Sequence, residues 1–317
     1  MGASNLYSNQ VSFGIAYSGL NNVATNLTYF NTSNTTYNIH IQKQVQDAYF
    51  KYMASDVLAS SIQASKDVRG GAISSDASGN VYFTGTYSSP TSVALKNIDN
   101  TSNTSYTLPS TSSLGMFITR YNSSGTLTGA TRIDGATTRC RGAICTDANG
   151  YIYAAGDYTG TGSTSNINGT YSPLGLATAS VGSAFVTKYG SDGTLVGTGS
   201  IISPSTSTSF GVYADGASNL YAVGCYNSSN SQNIGLYNLD GSPSAKTLTS
   251  TSNPSTNSFI IRYSSNGDVV ATASIVGMDP DSTSISYGGS YARAVCGDVH
   301  SSTYVVLVII ATGPYQM

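Results

Sequence analysis

The chain has 317 residues and a formal net charge of −2, and only 9% of its residues are charged, against roughly 25% in an ordinary globular domain. Its few basic residues are scattered singly, which excludes a nucleic-acid-binding surface, and no apolar stretch reaches the roughly 18 residues of a membrane-spanning helix. All 15 acidic residues are Asp, and strong helix formers are scarce while Val, Ile, Thr and Tyr are abundant, so the composition predicts an all-β fold.

The first 46 residues contain pieces of a repeat. The segment Gly2–Tyr7 (GASNLY) is identical to Gly216–Tyr221. A predicted strand over Val11–Tyr17 follows, and then a hairpin whose tip, Asn31–Tyr37, is nearly identical to Asn100–Tyr106. We therefore predict an N-terminal half-unit over residues 1–46, which either closes or complements another unit.

A basic residue followed by Tyr marks each later copy of the repeat. An apolar run precedes each pair, and the last three pairs are followed by turns that end in Gly, as in a tight hairpin. The pairs are Lys51-Tyr52, Arg120-Tyr121, Lys188-Tyr189 and Arg262-Tyr263, at steps of 69, 68 and 74 residues. We predict a four-unit domain over residues 47–317, divided into 47–115, 116–183, 184–256 and 257–317.

A second signature opens with Asp and ends with Tyr in each unit. Its copies are Asp76–Tyr82, Asp147–Tyr153, Asp215–Tyr221 and the degraded Asp298–Tyr304. In the first three copies a Gly follows the Tyr by three residues (Gly85, Gly156 and Gly224), whereas the fourth has Leu307. Glycine inside a strand predicts a bulge or a close backbone approach, and Asp is expected to accept turn N–H groups.

These signatures predict tandem four-stranded antiparallel meander units of about 70 residues, each with an extra hairpin. Linked in this order, the motifs resemble the β-propeller repeats of secreted bacterial proteins. The resemblance covers residues 47–317 and implies a β-propeller-like scaffold, with four blades or as an open assembly, in an extracellular setting. It implies no catalytic residues.

The terminal units are predicted to be incomplete. The strand after the Asp signature occurs five times, ending with Tyr304–Ala311, but the basic–tyrosine strand occurs four times. Two arrangements fit this pattern. The N-terminal piece completes the last unit of its own chain, or it completes a unit of a neighbouring chain by strand addition, which builds a filament if the rotation does not close.

Residues suited to catalysis or metal binding are few. His40 and His300 lie in distant parts of the repeat and without metal-ligand spacing, so both are expected to be ordinary surface residues. Asp279 and Asp281 could contribute to a calcium site, but a solvated loop is favoured. Without a nucleophile elbow, a Walker loop or zinc-type cysteine pairs, the sequence predicts no enzyme activity, no cofactor and no metal.

Two residue types suggest an extracellular protein. The even number of cysteines suits two disulfides in an oxidising compartment, although buried free thiols are the alternative; they are Cys140, Cys145, Cys225 and Cys296. Candidate N-glycosylation sites are Asn26, Asn31, Asn34, Asn100, Asn103, Asn122, Asn168 and Asn227.

The function predicted from these features is structural. We expect a glycosylated extracellular or cell-surface subunit that forms a homo-oligomer or filament through residues 1–46 and the C-terminal unit, by terminal strand complementation. The alternative is an adhesive or lectin-like β-propeller that recognises a glycan or a protein. Deletion of residues 1–46 separates the two, because it abolishes assembly only in the first.

Overall fold

A computed structural model describes residue 62 and residues 67–170, 172–227, 234–248, 256–275, 289–297 and 304–311. The chain divides into two compact units, Met1–Ala59 and Ser60–Met317, and every described residue belongs to the second. The predicted half-unit over residues 1–46 therefore lies outside the described residues. Within them the regular structure is entirely strand, without a helix, so the predicted all-β class is confirmed.

Twenty strands are described. In chain order they are β1 (Asp67–Ser75), β2 (Val81–Ser89), β3 (Val93–Lys96), β4 (Ser102–Leu108), β5 (Thr111–Tyr121), β6 (Leu127–Asp134), β7 (Thr137–Thr146), β8 (Ile152–Gly160), β9 (Ser163–Thr164), β10 (Leu174–Gly175), β11 (Ala179–Tyr189), β12 (Leu195–Ile202), β13 (Thr206–Ala214), β14 (Leu220–Asn227), β15 (Ile234–Tyr237), β16 (Pro243–Leu248), β17 (Thr256–Tyr263), β18 (Val269–Ile275), β19 (Gly289–Gly297) and β20 (Tyr304–Ala311).

The strands form three large antiparallel sheets and two strand pairs, and none of the sheets closes on itself. Sheet 1 has the order β1-β2-β5-β6-β9-β10, and sheet 2 has the order β7-β8-β11-β12-β15-β16. Sheet 3 has the order β13-β14-β17-β18, while β3–β4 and β19–β20 are separate pairs. Each large sheet therefore contains four strands in chain order: β1-β2-β5-β6, β7-β8-β11-β12 and β13-β14-β17-β18. The short hairpins β3–β4, β9–β10 and β15–β16 lie in the chain between the second and third of these four strands.

Local sequence explains the strands and the turns between them. Burial alternates along β6, as it does in a strand with one face on the core. The turn between the third and fourth strands ends at Gly125 in sheet 1 and at Gly193 in sheet 2, with φ of 80° and 86°. This left-handed conformation favours glycine, so these turns have the form that the sequence predicts.

The strand glycines lie where the predicted bulges occur. Opposite Gly85 the register of β1 shifts between Gly70 and Ile73, and a register shift also occurs opposite Gly156 and opposite Gly224. A Cβ at Gly85 would overlap the carbonyl oxygen of Arg69 and the ring of Phe117. Because bulge and ring occupy the space of a side chain, these positions require glycine, which confirms the predicted close approach.

Consecutive sheets stack through their first strands. Strand β7 packs on β1, β2 and β5, β13 packs on β7, β8 and β11, and β19 packs on β13, β14 and β17. The apolar clusters follow this order, since one joins sheet 1 to sheet 2 and another joins sheet 2 to sheet 3. The core therefore lies between neighbouring sheets, and each sheet is stabilised by the next.

In the part of the chain that the structure describes, no helix has the length and hydropathy to cross a bilayer.

Candidate functional site

The aspartates of the second signature accept hydrogen bonds from the turns that they begin. The Oδ1 atom of Asp76 accepts backbone N–H groups from Ser78 and Asn80, both at 2.9 Å. Its Oδ2 atom accepts from the Asn80 amide at 2.8 Å and the Tyr82 hydroxyl at 2.9 Å. Burial acts to raise the pKa of Asp76, but these hydrogen bonds outweigh it and hold the pKa below its usual value.

The next two sheets repeat this arrangement at Asp147 and Asp215, each of which accepts two backbone N–H groups. The expected structural role is therefore confirmed for three of the four aspartates, and Asp298 lies outside the described residues. A carboxylate that is already bonded to its own turn is a poor general base, because proton transfer would require breaking that turn.

The basic residue of the first signature lies over a tyrosine ring of the neighbouring strand. The guanidinium carbons of Arg120 and Arg262 are 6.0 and 5.8 Å from the ring centres of Tyr82 and Tyr221. These distances are within the range of a cation–π contact. Burial and the hydrogen bond to Asp76 raise the pKa of Tyr82 to about 12, so its hydroxyl stays protonated as a donor.

Lys188 takes the same position in sheet 2 and also reaches sheet 3. Its Nζ lies 4.2 Å from the ring centre of Tyr151 and donates to the carbonyl oxygen of Ser265 at 2.8 Å. Burial lowers the pKa of this amine, while the charge of Asp147 acts to raise it. Ser265 lies in the turn before β18, so Lys188 ties two sheets together.

Hydroxyl groups make further ties between consecutive sheets. The Oγ1 of Thr138 in β7 donates to the carbonyl oxygen of Ile133 at 2.7 Å and accepts the N–H of Met116 at 2.7 Å. Ser207 in β13 makes the equivalent bonds to Ile201 and Ala184, at 2.6 and 2.8 Å. The first strands of sheets 2 and 3 are therefore hydrogen-bonded to the third and fourth strands of the preceding sheet.

Strands also cross from one sheet to another. The hairpin β9–β10 lies in the chain between β8 and β11 of sheet 2, but it pairs with β6 of sheet 1, with Thr164 opposite Ile133. The hairpin β15–β16 lies between β14 and β17 of sheet 3 and pairs with β12 of sheet 2, with Leu236 opposite Ile201. The last strand of each of these sheets is thus covered by a hairpin that lies, in the chain, between strands of the following sheet.

An asparagine ties each hairpin to the sheet whose strands flank that hairpin in the chain. Sequence reasoning missed this contact. The Oδ1 of Asn166, in the hairpin β9–β10, accepts the N–H of Leu195 in β12 of sheet 2 at 2.7 Å, and its Nδ2 donates to Thr170 Oγ1 at 2.7 Å. Asn97 and Asn238 make the same bonds in the other two hairpins. The recurring segments NIDNT, NINGT and NLDGS, which begin at residues 97, 166 and 238, were the signal in the sequence.

The first strand of the stack differs from its counterparts. Ile73 in β1 is 69% exposed, whereas Ile144, at the same register position in β7, is 8% exposed. Strands β7 and β13 are buried against the preceding sheets, while five of the nine residues of β1 are exposed. The outer face of β1 therefore exposes one large apolar side chain, Ile73, at one end of the described stack.

The predicted glycosylation sites occupy different environments. Asn100 is exposed in a turn, and Asn122 and Asn168 use their Oδ1 atoms within turns. Asn103 instead donates its Nδ2 to Asn97 and to the carbonyl oxygen of Leu127, both at 3.1 Å. Asn227 ends β14; Asn26, Asn31 and Asn34 lie outside the described residues.

The other predicted positions give no reactive cluster in the described part of the chain. His40, His300, Asp279 and Asp281 lie outside it, and no group of three metal-ligating side chains occurs within it. Cys145 and Cys296 occupy the penultimate positions of β7 and β19. Burial raises the pKa of the Cys145 thiol. Pairing among Cys140, Cys145, Cys225 and Cys296 stays a prediction.

Comparison of the sequence with protein-family models and with curated proteins gives no match. The resemblance to β-propeller repeats therefore depends on the chain's own motifs and stays a prediction.

Proposed function

We propose that the chain is a structural subunit of an extracellular or cell-surface assembly. Subunits join by strand complementation between their terminal units and form a filament or a surface layer. The predicted glycosylation and the propeller-like stacking of repeats belong to the same proposal.

The observation that carries this proposal is the exchange of hairpins between sheets. In two consecutive sheets the last strand pairs with a hairpin that lies, in the chain, between strands of the following sheet. Pairing an edge with strands from another part of the chain therefore already occurs within one molecule. A paired edge removes the aggregation liability of an open strand. Head-to-tail repetition of such a contact between copies gives an open filament when the rotation does not close.

The exposed face of β1 supports an open arrangement. In the described stack each later first strand is covered by the sheet before it, and Ile73 occupies a position that is buried in β7. Cover by another sheet would give Ile73 the burial that this position has in β7.

An adhesive or lectin-like function is the alternative. Sugar binding by stacking would need exposed aromatic rings, but seven of the largest buried side chains are tyrosines. They are Tyr82, Tyr87, Tyr153, Tyr158, Tyr189, Tyr226 and Tyr263. Packing inside and between the sheets accounts for these rings, which favours the structural proposal over the binding one.

The test is the mass of the full chain in solution, measured by size-exclusion chromatography with light scattering at micromolar concentration. We expect species larger than the 32.7 kDa monomer, and we expect deletion of residues 1–46 to remove them. A full chain that stays monomeric and retains affinity for a glycan or protein would contradict assembly and support the adhesive function.

A further inference from the structure

The turn of each outer hairpin packs against the turn between the third and fourth strands of the sheet that flanks it in the chain. In sheet 1, Ile98 of the hairpin β3–β4 donates its N–H to the carbonyl oxygen of Gly125 at 2.8 Å. Ile167 and Gly193 make the same bond in sheet 2, at 2.7 Å. The turns of both kinds therefore lie together at one end of the sheets. We call this end the turn end; it comprises residues 97–101, 122–126, 166–170 and 190–194.

Three Asn-x-Ser/Thr sequons begin in these turns and leave their amide nitrogen unused. The Nδ2 atoms of Asn100, Asn122 and Asn168 make no hydrogen bond in the described part of the chain. Their Oδ1 atoms are engaged instead. That of Asn100 accepts from Lys96 Nζ at 2.9 Å, and that of Asn168 accepts the N–H and the hydroxyl of Thr170 at 3.1 and 2.7 Å. Because Nδ2 is the atom that carries the sugar of an N-linked glycan, all three residues are free to carry one.

The hairpin turn requires the side-chain oxygen of this residue and not its nitrogen. Asn168 occupies the position that Asp99 and Asp240 occupy in the other two hairpins. The Oδ1 of each aspartate accepts the N–H and the hydroxyl of the residue two positions later, as Asn168 does. The same turn therefore forms with a carboxylate or with an amide, since both present an oxygen acceptor. The amide nitrogen of Asn168 has no part in the fold.

Asn103 begins a sequon of the same kind, but the fold uses both N–H groups of its amide. Its Nδ2 donates to the Oδ1 of Asn97 and to the carbonyl oxygen of Leu127, both at 3.1 Å. A glycosylated amide keeps a single N–H, so an attached sugar would remove one of these bonds. Asn97 also accepts the N–H of Leu127 at 2.9 Å and thereby ties the hairpin to sheet 1. A glycan on Asn103 would therefore disturb this tie.

We infer that the turn end is a glycan-bearing surface, with N-linked oligosaccharides on Asn100, Asn122 and Asn168, and that Asn103 stays unmodified in the folded chain. This inference rests on the extracellular or cell-surface location in the proposed function. The reaction joins Nδ2 to the anomeric carbon of an oligosaccharide. Nδ2 loses one proton, and the lipid diphosphate that carried the oligosaccharide is the leaving group. The Oδ1 atoms take no part in the new bond, so the turns keep their hydrogen bonds.

Mapping of the modified residues in the full chain tests this inference. The chain is directed through the secretory pathway of yeast or insect cells. Its glycans are then released by an amidase in heavy-oxygen water, which converts each modified Asn into a labelled Asp. We expect label at Asn100, Asn122 and Asn168 and none at Asn103. On a denaturing gel, Asn168→Asp should lower the apparent mass by one glycan, whereas the matched control Asn103→Gln should leave it unchanged.

Light scattering on the same samples separates this inference from the proposed assembly. Label at Asn103, or the absence of label from any of the three turn-end residues, overturns the inference. A chain that assembles without label at the turn end overturns the glycan assignment and leaves the proposed subunit standing. A chain that is labelled as expected but stays monomeric supports the glycan assignment and rejects assembly.

Thermal unfolding of the unglycosylated chain, produced in a bacterial cytosol, tests the use of the two amides directly. Asn168→Asp keeps the oxygen that the turn needs, so we expect its unfolding midpoint to stay within about 2 °C of the parent. Asn103→Asp loses two donors, and we expect its midpoint to fall by about 5 °C. An equal fall for both variants would mean that the fold uses the amide nitrogen of Asn168, and it would overturn the inference.

Discussion

Strands β12 and β18 hold the same place in sheets 2 and 3, yet their surroundings differ. The hairpin β15–β16 pairs with β12, whereas the described residues provide no strand beyond β18. Ile201 in β12 is fully buried, while Ile275 at the same register position in β18 is half-buried.

One residue position reflects this difference. Gly197 in β12 lies under the backbone of Leu239, and a Cβ there would overlap the Leu239 carbonyl oxygen. Gly129 in β6 lies in the same way under Ile167. The corresponding residue in β18 is Ala271, which is exposed. Glycine is thus required only where a hairpin crosses the last strand, and Ala271 indicates that β18 does not receive a hairpin in the same manner.

The largest expected effect on stability comes from replacing the required glycine in sheet 2. Gly197→Ala places a methyl group against a backbone carbonyl that cannot rotate away, and we expect it to lower the free energy of unfolding by about 3 kcal/mol. The reverse exchange in β18, Ala271→Gly, is expected to cost about 1 kcal/mol or less. Urea unfolding followed by circular dichroism measures both.

A matched control for the glycine prediction is Gly175→Ala. Its added Cβ meets nothing within 4 Å, so the expected change is within about 0.5 kcal/mol. Equal losses for Gly197→Ala and Ala271→Gly would contradict the proposed distinction between the covered and the uncovered strand.

A smaller effect should follow from releasing the hairpin that covers β12. Asn238 accepts the N–H of Val269 at 2.8 Å and donates to Ser242 at 3.0 Å. Asn238→Ala leaves that N–H unpaired, and we expect a loss of about 1–2 kcal/mol together with faster hydrogen exchange in β12. Asp240→Ala, in the exposed turn of the same hairpin, should change both quantities less; an equal effect would argue against the asparagine tie.

The smallest predicted effect concerns two equivalent tyrosine hydroxyls. The Tyr189 hydroxyl shares a hydrogen bond of 2.7 Å with Thr164 Oγ1, whereas the buried Tyr263 hydroxyl has no hydrogen-bond partner within the described part of the chain. Leu236 holds the hairpin position in sheet 2 that Thr164 holds in sheet 1. We therefore expect Tyr189→Phe to cost about 1 kcal/mol.

For Tyr263→Phe the expected change is neutral or slightly stabilising, because it removes a polar group that burial penalises. Thermal unfolding of the two variants, measured side by side, provides the check. A loss at Tyr263 as large as that at Tyr189 would mean that the Tyr263 hydroxyl is satisfied in solution.

Much of the local structure could be predicted from sequence because its causes are local. The Asp turns, the turns that end in Gly125 and Gly193, and the bulges opposite Gly85, Gly156 and Gly224 all depend on a few neighbouring residues. Each of these local patterns also recurs in several copies along the chain, which makes the pattern easier to distinguish from chance.

The crossing of hairpins between sheets could not be predicted in this way. The two-residue ladders that join β9 to β6 and β15 to β12 are too short to give a periodic pattern. Their choice of sheet depends on stacking over long distances in the chain. The asparagine tie was present in the sequence as a recurring segment, but its role becomes clear only when Asn166 is seen to bind Leu195, 29 residues away in a different hairpin.

The hairpin exchange also affects how such a gene can lengthen. One repeat of 68 to 74 residues contains both a last strand that pairs with a hairpin and a hairpin that pairs with the last strand of the preceding sheet. An in-frame tandem duplication of one internal repeat would insert one such hairpin and one such last strand together. Every last strand and every hairpin next to the insertion would therefore still have a partner. Related chains of different length are therefore expected to differ by whole repeats.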